Sequence, residues 1–188
     1  LNPKYADGHN NLGVSLRHER KYKASLSCFE KAISLKPNFA EAFQNMGDTL
    51  NAVGSLTEAL EAFNKAVVLK NDLADGYNGR GTTLHLLAKY DEAEQSFKQA
   101  IDINPSFAVA YANLGLLIWT QGNVEKAVTY FKKALSLEPR NSEAKMALSI
   151  AFLNSGKFEE GLALNEARWQ SKIGSTGARH FSKPMWDG

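Results

Sequence analysis

The chain has 188 residues, 44% of them hydrophobic and 22% charged, with 22 basic and 20 acidic side chains and a net charge of +2. A mean hydropathy of −0.34, without an apolar run near about twenty residues, excludes a transmembrane helix, and the hydrophobic share is too high for a disordered chain. One cysteine excludes a disulfide framework and a cysteine-built zinc site, and the balanced charge makes no case for nucleic acid or an anionic membrane as partner.

The chain opens at Leu1 with neither the basic nor the apolar region of a signal peptide, and closes on Trp186-Asp187-Gly188. It reads as a cytoplasmic fragment of a longer protein, any targeting signal lying in the remainder. An internal repeat organises the sequence between these ends. Gly13, Gly47, Gly81 and Gly115 are spaced by 34, as are Phe29, Phe63, Phe97 and Phe131, and Ala32, Ala66, Ala100 and Ala134. Pro3, Pro37, Pro105 and Pro139 share that period, with Asn71 in the vacant place. Residues 1–5 then end a preceding, truncated repeat. Five units come after it at 6–39, 40–73, 74–107, 108–141 and 142–175, the last degenerate and capping, with a tail at 176–188.

Each unit is expected to form two helices. In the second, Phe43, Met46, Gly47 and Leu50 recur at one helical face, Gly54-Ser55 break it, and Leu56, Ala59, Leu60, Phe63, Ala66 and Val67 make another. Asn71-Asp72 ends that helix where other units use proline, which cannot continue a helix interior. The glycines allow close helix approach, and Ala59 and Ala66 flank Phe63 as hole around knob.

Tyr111, Leu114, Gly115, Ala127, Phe131 and Pro139 resemble the tetratricopeptide repeat, a pattern recurring in phase over about nine tenths of the chain. Ser25 for the first alanine, Arg80 for leucine and Ala88 for the inter-helix glycine are local departures. The fifth unit departs more, with Ser149 for glycine and Gly161, Asn165 and Arg168 in its second helix. The resemblance implies an all-α, right-handed superhelical solenoid whose first helices line a concave, peptide-binding surface.

The groove columns are Asp7, Glu41, Asp75, Val109, Glu143; Asn10, Gln44, Asn78, Ala112, Met146; Asn11, Asn45, Gly79, Asn113, Ala147; Val14, Asp48, Thr82, Leu116, Ile150; and Arg17, Asn51, His85, Trp119, Leu153. The residues expected to touch a peptide are Asn10, Asn11, Arg17, Gln44, Asn45, Asp48, Asn78, His85, Asn113, Leu116, Trp119 and Ile150. The surface is polar toward the N-terminus and apolar toward the C-terminus, and an apolar patch calls for a cover. Asn11, Asn45 and Asn113 resemble the asparagine ladder of the O-linked N-acetylglucosamine transferase superhelix, in which amides donate to and accept from a peptide backbone. Gly79 and Ala147 interrupt it. The carboxylate clamp of chaperone-binding relatives does not match, because Asp75 would repel a carboxylate.

From Arg168 the composition turns basic. Glu166-Ala167-Arg168-Trp169 and the stretch Phe181 to Gly188 resemble the junction of bacterial proteins in which such repeats precede a glycosyltransferase-like domain; Trp169 and Trp186 are equally readable as packing residues of a cap. No catalytic residue, metal or cofactor is expected. His9, His18, His85 and His180 lack metal-ligand spacing, and Cys28 reads as a small packed residue. Trp119 stays open between core and groove, since its helix already buries Tyr111, Leu114 and Ile118. The expected function is a scaffold binding a protein or peptide, without nucleic acid or membrane. Two other readings stand beside it: substrate recruitment for a glycosyltransferase-like domain beyond Gly188, and self-association through repeat ends or the C-terminal tail.

Overall fold

The structure, a computed structural model, describes residues 3–164. Among them are the helices α1 (Pro3–His18), α2 (Tyr22–Leu35), α3 (Ala40–Val53), α4 (Leu56–Leu69), α5 (Ala74–Leu86), α6 (Tyr90–Ile103), α7 (Ala108–Thr120), α8 (Val124–Leu137) and α9 (Ser142–Asn154). Residues 158–164 are also helical. The described residues hold no strand. The fold is an all-α helix-turn-helix solenoid. None of its helices is long and apolar enough to cross a membrane, among the residues described. The expectations placed on Asn165, Arg168, Trp169, Trp186 and the tail lie outside the described residues.

Helix α1 begins at Pro3. Proline fits there because a first-turn N–H has no helical acceptor to lose.

Helix pairs pack through one recurring contact. Phe29, Phe63, Phe97 and Phe131 are fully enclosed, the last three between equally buried alanines and Phe29 between Ser25 and Ala32. Each ring lies against the backbone of a glycine in the preceding helix. A Cβ added at Gly47 would stand 2.9 Å from the Phe63 ring, and one at Gly81 would stand 2.6 Å from Phe97. The glycine is therefore a space requirement, the Phe its filler.

Two departures from the repeat pattern compensate chemically. Ser25, fully buried in place of alanine, donates its hydroxyl to Gly13 O at 2.7 Å, so its polar atom is satisfied. In the fifth unit the pair is reversed: Ser149 stands at the glycine position and donates to Gly161 O at 2.7 Å. The bulk and the hydroxyl have changed helices while the bond between the helices persists.

The turn inside each unit needs one left-handed residue. Gly54, Gly122 and Gly156 supply it with φ of 81°, 86° and 77°. Arg20 and Ala88 adopt it at 60° and 57° with a Cβ in place, a conformation that costs an L-residue roughly 1–2 kcal/mol. Ala88→Gly is expected to gain about 0.5–1 kcal/mol, the strain relieved less the added freedom of the unfolded chain. A higher thermal midpoint checks it; a midpoint at or below the parent's removes the strain argument.

Candidate functional site

Curvature follows from which helices touch. Along the stack, α1 meets α3, α3 meets α5, α5 meets α7 and α7 meets α9, whereas α2, α4, α6 and α8 make no comparable contact with one another. A stack joined along one layer and splayed along the other bends toward the joined layer. The odd-numbered helices, the first of each unit, therefore form the inner face.

The polar part of this face is cross-linked by its own side chains. Asn45 Nδ2 donates to Asn10 Oδ1 at 3.0 Å, and two units on Asn113 Nδ2 donates to Asn78 Oδ1 at 2.9 Å. Arg17 donates to Asp48 Oδ2 at 2.7 Å, and Gln44 Nε2 donates to the same oxygen at 3.1 Å. Asn51 and Thr83 bond at 2.9 Å, and His85 Nε2 lies 3.4 Å from the Thr120 hydroxyl. Asn10, expected at the surface, is only 8% exposed and serves as the inner partner of Asn45. Asn11 is exposed. Asn45 and Asn113 do not act as isolated rungs: each is the donor of a pair spanning two units. Asn10 and Asn78, both expected on this face, are the acceptors of the two pairs.

Gly79, one of the gaps in the asparagine series, has a structural cause. A Cβ there would run into the ring of Phe63, which reaches from α4 toward α5. Phe63 thus contacts a glycine in its own unit and another in the next. The second gap, Ala147, packs partly buried against the C-terminal core cluster.

The C-terminal part of the face is apolar, as its composition implied. Val109, Leu116, Met146 and Ile150 are exposed on α7 and α9. Trp119 belongs to both of its sequence readings, partly buried against the core of Leu114, Leu117 and Ile118 with the rest of its surface open.

Charge on the face is held in partial burial. Loss of solvent raises the Asp48 carboxyl above its ordinary range; the Arg17 guanidinium beside it and the Gln44 bond oppose that rise, and the nearby Asp75 adds to it. Glu41 is lowered, chiefly by the hydrogen bond from Lys70 at 2.8 Å. Partial burial lowers His85, favouring the neutral imidazole. Among the described residues, no group of three or more His, Cys, Asp or Glu side chains could hold a metal ion.

Family models described as tetratricopeptide repeat match residues 6–39 and 74–107, residues 28–61, and residues 119–169. No curated protein sequence matches. Three solved structures illustrate the likeness of fold. The tetratricopeptide repeat protein TTC0263 of Thermus thermophilus is 25% identical, with 93% of each chain covered and a TM-score of 0.78. PilF of Pseudomonas aeruginosa is 18% identical, with 94% of this chain and 78% of that one covered, TM-score 0.80. YrrB, described as a tetratricopeptide repeat protein with an unusual peptide-binding site, is 20% identical over 83% of this chain and 80% of its own, TM-score 0.61.

Proposed function

The chain belongs to the tetratricopeptide repeat family, and on that premise we propose that its inner face binds an extended segment of a partner protein. The observation carrying this reading is the pair of inter-unit asparagine bonds. Each occupies Nδ2 of the donor, Asn45 or Asn113, and Oδ1 of the acceptor, Asn10 or Asn78. Oδ1 of Asn45 and of Asn113 keeps its lone pairs for a peptide N–H, on side chains already fixed in place by the bond they donate. Pre-ordered amides lose little freedom when a backbone docks on them. Leu116 and Ile150 supply apolar contact for side chains further along, with the open part of Trp119. A segment with an uncharged polar stretch followed by aliphatic or aromatic residues suits that order. The peptide-binding site attributed to YrrB supports the class of ligand.

Peptides selected from a random display library against this protein, and then titrated by fluorescence anisotropy, test the reading. Asn45→Ala combined with Asn113→Ala is expected to weaken the selected peptides about tenfold, the worth of one to two buried hydrogen bonds. Trp119→Ala is expected to weaken those with an apolar end. Unchanged affinity in folded variants would overturn the proposal.

The glycosyltransferase-like reading rests on Glu166–Trp169 and on the stretch ending at Gly188, which lie outside the described residues. The coding sequence beyond Gly188 tests it. Self-association through repeat ends or the C-terminal tail is a competing reading, which light scattering over a concentration series tests; a cytoplasmic location is a further part of the proposal.

A further inference from the structure

The outer face carries an opening of its own, between α2 and α4. These two second helices do not touch, and α3 lies beneath them as a floor. Phe43, Met46 and Leu50 of α3 line the opening with Leu26 of α2 and Ala62 of α4. Two cavities of about 320 and 450 Å³ adjoin there, sharing Phe43 and Lys65 in their walls. At the far end Val68 is 82% exposed.

The next two gaps along the stack are more filled. Between α4 and α6, Arg80 rises from α5, donates to Ser96 Oγ at 3.0 Å and lies over the Tyr77 ring, leaving a cavity of about 150 Å³. Between α6 and α8, Glu94 reaches both Lys98 at 2.9 Å and Lys126 at 3.8 Å, and Tyr130 lies against Tyr111. The α2–α4 gap has Met46 where the next has Arg80, and among the described residues no hydrogen bond or ion pair spans it. Its rim is acidic. Glu30, Glu58 and Glu61 line the cavity and take part in no ion pair among the described residues. Lys65, the one cation in the wall among the described residues, lies over the Phe43 ring at 5.6 Å.

We propose that the gap between α2 and α4 is a docking groove for an amphipathic helix of a partner protein, with aliphatic anchors flanked by lysine or arginine. Shape, polarity and charge each constrain the occupant. From Glu58 to Val68 the wall runs about 15 Å, some three helical turns. Two parallel helices over a third form a trough into which a ridge of side chains fits. The floor offers no hydrogen-bonding side chain, so an extended strand would bury backbone groups without partners, whereas a helix satisfies its own. Three uncompensated carboxylates around an apolar floor favour cationic flanks on that helix and disfavour acidic ones.

A fluorescein-labelled synthetic helix of about four turns, with leucine at every third or fourth position and lysine on both sides of that stripe, is the probe. Anisotropy at physiological salt is expected to show saturable binding. The same peptide with glutamate for every lysine, or serine for every leucine, is expected to bind at least about tenfold more weakly. Glu58→Lys with Glu61→Lys should weaken the probe to a similar extent, and Ala62→Lys should abolish binding by filling the groove from its α4 wall. The exposed double reversal leaves the core untouched, so it decides the matter even where Ala62→Lys fails to fold. Asn45→Ala with Asn113→Ala should leave this binding unchanged, which separates the outer groove from the inner face. Equal binding of the glutamate or serine peptide, indifference to the double reversal, or loss in the asparagine variant would each overturn the proposal. So would concentration-dependent self-association abolished by the double reversal, because the groove's occupant would then be a second copy of this chain.

Discussion

Phe63→Ala is expected to destabilise the protein by about 3–5 kcal/mol, the range for deleting a fully buried aromatic ring, and to divide its unfolding into two transitions. The ring is wholly enclosed. It fills space against Gly47 within its own unit and against Gly79 in the next, so one truncation opens a void at two interfaces. Both glycines lack the side chains that would collapse into that void. Repeat arrays hold together by nearest-neighbour contacts, and a weakened central interface lets each side unfold separately. Thermal denaturation followed by circular dichroism and by calorimetry checks this. A single sharp transition within about 1 kcal/mol of the parent would mean that Phe63 carries less of the coupling than its contacts imply. Val68→Ala on the same helix, at an exposed side chain, is the comparison and is expected to stay within about 0.5 kcal/mol.

The helix pairs were legible in the sequence because their cause is periodic. A ring every 34 residues against a glycine every 34 residues demands the same local geometry each time, and amphipathic spacing places the helices around it. The left-handed turns were half legible. Gly54 and Gly122 announce them, and the period places Arg20 and Ala88 at the same position, where neither side chain signals the conformation. Ser149 and Gly161 looked like decay of the pattern when read one position at a time. Only their mutual bond shows that the two changes belong together.

The inner face was legible as a surface but not as a network. Columns at a period of 34 group equivalent positions, and equivalent positions on neighbouring helices are not the ones that bond. The asparagine pairs Asn10–Asn45 and Asn78–Asn113 are 35 residues apart, Arg17–Asp48 is 31 and Asn51–Thr83 is 32. Those offsets arise from how one helix sits over the next, which the repeat length does not encode. The column reading therefore named all four asparagines without their pairing, and placed Asn10 at the surface where it is buried. The outer α2–α4 opening left no motif at all, since it arises where Met46 and Ala62 stand in place of the hydrogen-bonded Arg80 and Ser96 of the next unit.

Filling the gap in the asparagine series separates a ladder read from columns from one built on packing. Gly79→Asn restores the missing amide, and helix propensity alone favours it, since glycine is among the poorest residues in a helix interior. The expected result is a loss of about 1–3 kcal/mol, the cost of overpacking, with no gain in peptide affinity. The first side-chain atom would meet the Phe63 ring, and a fully enclosed ring has nowhere to move. Gly79→Ala should lose a comparable amount, because the offending atom is Cβ and not the amide. Gly8→Ala in α1 should instead gain about 0.5–1 kcal/mol from propensity, for no atom lies within 4 Å of a Cβ added there. Opposite signs from two glycines in the same kind of helix would place the effect in the Phe63 contact. A Gly79→Asn protein that melts at or above the parent's midpoint would sink that account and return the gap to chance. The stack accepts a missing rung at Gly79 because the ring that couples two units occupies that place.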